Sequence, residues 1–173
     1  VDGLWTSIAS DSKYIPSEGG DLFRRSLYSF CKRTVGNPAM TLFDATTREA
    51  CQVRRGRTNT PLQALAVLNE TTYVEAARGL AQQALHQSGT SNERLLWMFR
   101  RATCRRPTPQ ELELLSRALT SHLAHFEQSA TDAASLVKVG TSPELPGVDQ
   151  VQLAAWTAVA SVVLNLDEVV NRE

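Results

Sequence analysis

The stretch from Asp149 to Leu164 constrains the fold of this 173-residue chain more than any other. Ala154, Trp156, Val159, Val162, Val163 and Leu164 leave it apolar nearly all round. A helix of that kind has to be wrapped by other elements rather than laid on a surface. The chain therefore needs several further elements, each with one apolar face.

Those elements read as helices. Thr108-Pro109-Gln110-Glu111 is a capping box with proline at the first helical position, leading into Leu112, Leu115, Leu119 and Leu123. Thr60-Pro61 opens a second helix, with Thr60 as N-cap, Pro61 at the first helical position and Leu62, Leu65 and Leu68 on one face. Asn69 interrupts that helix. The next runs from about Thr71 to His86, with Tyr73, Ala77, Leu80 and Leu85 inward, and Gly89 closes it. Ser91 or Asn92 caps a helix carrying Leu95, Leu96, Phe99 and Ala102. A shorter piece at Asp132–Val139 ends at Gly140, and the stretch to Gly147 is a surface loop. Asp167 caps a final turn. Upstream, Asp21 caps Leu22–Arg33, where Phe23, Leu27 and Phe30 form one stripe, and Gly36 to Glu49 reads as irregular.

No run alternates as a strand would. The expectation is an all-α fold, a compact multi-helix bundle of about six or seven helices with an irregular arginine-rich N-terminal segment. Residues 1–173 form a single helical domain: 1–60 is a loop-rich segment with one helix, and 61–173 is the bundle. No stretch approaches the roughly 18 apolar residues that cross a bilayer. The start at Val1, without Met or a signal pattern, reads as the interior of a longer protein.

Net charge is zero but uneven. Arg24, Arg25, Lys32, Arg33, Arg48, Arg54, Arg55 and Arg57 face only Asp44 and Glu49 within residues 22–60. Phe23, Tyr28 and Phe30 interleave with them, yet a neutral chain argues against nucleic-acid binding. Cys31, Cys51 and Cys104 lack C-x-x-C and C-x-x-C-H spacing, which speaks against a zinc knuckle or covalently attached haem in this chain.

Arg54, Arg55 and Arg57 run into the Thr60 helix start, where guanidinium groups and first-turn N–H donors suit an anion. Arg54, Arg55, Arg57, Asn59 and Thr60 are thus the candidate anion-binding residues. The competing reading makes Asp44 and Glu49 structural partners of those arginines and Asn59 and Thr60 caps. Nearby arginines would depress the pKa of Asp44 and Glu49, which does not suit a general acid. His122 and His125 stand three apart on a helix without a carboxylate on the same face, and read as surface histidines rather than metal ligands. Trp156 belongs to the core. Trp5 and Trp97 are the exposed aromatics that could stack on a sugar. No catalytic constellation, Walker loop or dinucleotide fingerprint is present.

With these motifs placed, the chain resembles the planctomycete-type PSD domain, a domain of unknown function in "PSD and cytochrome c domain-containing" proteins. Phe23-Arg24-Arg25-Ser26-Leu27-Tyr28, Lys32-Arg33-Thr34, Met40 through Phe43-Asp44-Ala45, Arg48-Glu49, Cys51 and Arg54-Arg55 carry the likeness. So do Arg57-Thr58-Asn59-Thr60-Pro61-Leu62-Gln63-Ala64-Leu65, Leu68-Asn69, Ala155-Trp156 and Leu164-Asn165-Leu166-Asp167-Glu168. Cys31 departs from the bulky aromatic usual there.

The resemblance implies that this chain is the C-terminal part of a larger module in an exported bacterial protein, periplasmic or at the cell surface. It also implies that haem c belongs to an upstream domain, with no cofactor in this chain. Its implied partners are the upstream domains of the same polypeptide. Three functions stay open: a non-catalytic interaction or scaffold module, a module binding an anionic ligand or glycan through Arg54–Thr60, and part of an oxidoreductase or hydrolase site completed upstream.

Overall fold

The computed structural model describes residues 17, 19–24, 28, 36–46, 49–54, 56–143 and 147–171. The chain divides into two units, Val1–Thr58 and Asn59–Glu173. All regular structure among the described residues is helical.

In the first unit a 3-10 turn spans Gly19–Phe23, and α1 spans Pro38–Leu42. The helix expected over Leu22–Arg33 falls mostly outside the described residues. The segment read as irregular from Gly36 onward does hold α1. Asn37 Oδ1 accepts the Ala39 N–H at 2.9 Å and Pro38 occupies the first helical position, a start signal overlooked in so short a helix.

The second unit contains α2 (Pro61–Asn69), α3 (Thr71–Leu85), α4 (Ser91–Thr103), α5 (Pro109–Gln128), α6 (Ala130–Val137), α7 (Gln150–Leu164) and α8 (Asp167–Val170). With α1 these make eight α-helices among the described residues. The helix that is apolar all round is central as expected: α7 touches each of the other six helices of its unit. Leu153, Ala154, Ala155, Trp156, Thr157, Val159, Ala160 and Val163 of α7 are buried. Its broadest contact is with α3. Each of these two helices contributes three fully buried alanines: Ala77, Ala81 and Ala84 on α3, and Ala154, Ala155 and Ala160 on α7. Small side chains let helix axes approach closely, which lengthens the shared contact.

Several local expectations are corrected. Thr90, not Ser91 or Asn92, caps α4. Its hydroxyl accepts the Glu93 N–H at 3.4 Å, and Glu93 Oε2 accepts the Thr90 N–H at 2.7 Å. Asp167 does not cap the last turn. It is the first residue of α8, its N-cap is Leu166, and the Asp167 carboxylate is used elsewhere. The leucines of α2 do share a face, but it is the exposed one, at 61% for Leu62, 56% for Leu65 and 43% for Leu68. Gln63 and Val67 are the buried residues of that helix.

Buried charge holds the long connection between α6 and α7. Arg78 and Glu75 on α3 are almost wholly buried. Arg78 donates to the carbonyls of Val137 and, at 2.8 Å, Ser142. Glu75 Oε1 accepts the N–H groups of Thr141, at 3.0 Å, and Ser142. Burial alone would raise the Glu75 pKa. The hydrogen bonds from Ser142 and Thr141 and the Arg78 charge outweigh it and hold the carboxylate below its ordinary value. The chain leaves α6 through Gly140 at φ +95°, directly against the Glu75 carboxylate. The buried pair thereby gives four peptide groups, two carbonyls and two N–H groups, partners inside the fold.

Candidate functional site

Within Thr58-Asn59-Thr60, three successive polar side chains each engage a partner in the fold. Thr58 donates its N–H to Asp44 Oδ2 at 2.7 Å and its hydroxyl to the same carboxylate at 2.9 and 3.0 Å. Asp44 takes a left-handed backbone, φ 55°, to receive them, a conformation aspartate tolerates better than most residues. Asn59 Nδ2 donates to Asp167 Oδ1 at 2.7 Å, and the same oxygen accepts from Asn171 Nδ2 at 2.8 Å. Thr60 accepts the Gln63 N–H at 3.3 Å, and Gln63 Oε1 accepts the Thr60 N–H at 2.9 Å.

This geometry bears on anion capture at the α2 start. Pro61 has no N–H. The N–H groups of Gln63 and Ala64 turn back to Thr60, leaving Leu62 as the other first-turn donor. Arg54 and Arg57 are exposed, as is Glu49, while Asp44 is half-buried. Arg55 lies outside the described residues. Arg54 and Arg57 belong to the first unit, Asn59 and Thr60 to the second.

The remaining candidates are dispersed. Trp156 is buried at 3% exposure and Trp5 lies outside the described residues. Trp97 is half-buried, packs on the core and lines an open hollow on α4. His122 stacks on Phe126, and burial, with His125 nearby, lowers its pKa. Among the described residues no three or more His, Cys, Asp or Glu side chains are placed to hold a metal ion. Nor is any helix there long and apolar enough to cross a membrane. Cys51 and Cys104 are exposed free thiols.

A second polar cluster was missed in the sequence. Arg105, between α4 and α5, binds Glu111 of α5 through Nη1 at 2.9 Å and Nη2 at 2.6 Å. It binds Glu168 of α8 through Nε at 2.8 Å and Nη2 at 2.6 Å. Its guanidinium also stands 4.7 Å from the Phe99 ring centroid. Both carboxylates raise the Arg105 pKa, led by the Glu111 hydrogen bonds. Glu111, which also completes the α5 capping box, is lowered to about 2, first by Arg105 and then by the Thr108 N–H. Glu111 was legible as a capping residue. Its second partner was not, because Glu168 is 63 residues from Arg105.

Comparison with known proteins yields one family. The model of PSD1, "Protein of unknown function (DUF1553)", matches residues 5–119. The matched stretch includes the arginine-rich segment and ends before Ala155–Glu168. No curated protein and no solved structure matches the chain.

Proposed function

The chain belongs to the PSD1 family, a family of unknown function, and we propose that it is a non-catalytic interaction module whose arginine-threonine-asparagine segment organises structure. The observation behind this reading is the commitment of Thr58, Asn59 and Thr60 to Asp44, Asp167 and Gln63. Side chains already bonded at about 2.7–3.3 Å must break those bonds before they can hold a ligand. The strongest-looking sequence motif thereby acts as a set of internal ties.

The test is a thermal-shift series with sulfate, phosphate and uronic oligosaccharides on the parent and on Asn59→Ala. The reading expects a lower Tm in the variant and no anion-dependent rise in the parent. An anion-dependent rise that vanishes in a folded Asn59→Ala protein would overturn it in favour of an anion site at the α2 start.

The wider setting of the module is part of the same proposal. It works in the periplasm or at the cell surface, joined to upstream domains that carry haem c. The likeness of the motifs between Phe23 and Asn69 to cytochrome c-linked PSD proteins supports this. Purification of the whole polypeptide tests it: the reading expects an exported protein with a c-type haem absorbance band. A polypeptide with neither property refutes it.

A further inference from the structure

The hollow on α4 has a chemistry that the arginine-rich segment does not share. It is open to solvent and measures about 590 Å³, within the size range of small-molecule sites. Gln87 and Ser88, just beyond α3, form one wall, and Glu93, Leu96, Trp97, Arg100, Arg101 and Cys104 form the other. The five α4 positions recur at helical spacing, so the helix presents them as one stripe, and Cys104 is the C-cap that follows it. Arg94 Nε donates to the Gln87 carbonyl at 2.9 Å and ties the two walls together.

The charges in this hollow are unequal. Glu93 is already engaged: its carboxylate accepts the Thr90 N–H at 2.7 Å and hydroxyl at 3.0 Å, and those bonds lower its pKa. Arg100 and Arg101 are exposed, and neither guanidinium has a hydrogen bond or ion pair among the described residues. Both stand in the last turn of α4, where the helix dipole favours cations. Trp97 supplies a half-buried ring between the engaged carboxylate and the two arginines. Two forked cations beside an indole match a ligand with a carboxylate at one end and a ring with an apolar face at the other.

We propose that this hollow binds a small ring-bearing carboxylate, its ring on Trp97 and its carboxylate on Arg100 and Arg101. The proposal stands on residues that the internal ties at Thr58–Thr60 do not involve, so either can fail without the other. A uronic acid and an aromatic acid share the required chemistry.

Cys104, on the edge of the hollow, reports occupancy, and the exposed Cys51 serves as an internal control. Alkylation by iodoacetamide is followed at each cysteine by peptide mass spectrometry, with glucuronate or benzoate present. Glucose and benzyl alcohol are the neutral controls. Labelling of Cys104 should slow about tenfold at roughly 10 mM ligand, as a Kd near 1 mM requires, with Cys51 unaffected. Protection by glucuronate alone assigns the sugar acid, and protection by benzoate alone assigns the aromatic acid. Arg100→Gln/Arg101→Gln, two exposed substitutions on a folded helix, should abolish the protection. Equal protection by the neutral compounds, protection that survives in the double variant, or none from either acid overturns the proposal.

Discussion

Arg78 Nη2 lies 3.8 Å from Glu75 Oε1, one helical turn away on α3, with both side chains almost fully buried. At that distance the ion pair is the weaker part of the arrangement. The stronger part is the pair's hold on the backbone from Val137 to Ser142, where each charge satisfies peptide groups of opposite polarity.

Arg78→Met should therefore destabilise the second unit by about 3–5 kcal/mol, because Glu75 is left as a buried charge and two carbonyls lose their donor. Glu75→Gln should cost less, since the amide oxygen can still accept from Thr141 and Ser142. Denaturant unfolding of both variants measures the difference. Equal stability of Arg78→Met and the parent would show that the pair is dispensable.

Gly140 should tolerate no side chain. An alanine Cβ there would meet Glu75 Cδ at 2.5 Å, and φ +95° is strained for any L side chain. Gly140→Ala is expected to cost more than about 1 kcal/mol, the usual scale for a misfit at positive φ. A Tm unchanged in this variant would mean that the loop has another route past Glu75.

Asn59 and Asp167 should be coupled across 108 residues of sequence. A double-mutant cycle with Asn59→Ala and Asp167→Ala should give an interaction energy of about 0.5–1.5 kcal/mol. Strict additivity would show that the bond adds nothing in solution.

Acid should loosen the α4–α5–α8 corner through Glu111. Its pKa falls from an ordinary 4.5 to about 2 in the folded chain. A depressed folded pKa stabilises fully above the unfolded value and is lost as pH falls through the folded one. The window is thus pH 4.5 down to about 2. Glu75 and Glu93, also lowered, act in the same direction. Tm should fall across that window in the parent and fall less steeply in Glu111→Gln. Identical slopes would remove Glu111 from the acid response.

Elements set by near neighbours in the chain were legible in advance. The N-cap at Thr60 and the capping box at Thr108 are where the sequence places them, and the structure adds Gln63 as the second half of a box at Thr60 and Asp149 as the cap of α7. Where a start was misplaced, at Thr90, the competing capping residues lay one or two positions along. The outward leucines of α2 were harder to read, because spacing defines a face but does not say which neighbour covers it.

The sequence alone determined the helical class, the starts of α2, α3 and α5 and the central place of α7, because propensity, caps and a 3.6-residue period act over one or two turns. Only the tertiary structure decided the partners of the polar residues. Glu75 and Arg78 look like an ordinary surface pair on α3 until α6 and its loop fold over them. Arg105 finds Glu168, and Asn59 finds Asp167, because packing around α7 brings distant segments within hydrogen-bonding reach. Hydrogen bonds of that kind depend on where whole helices come to rest, and no local spacing encodes that.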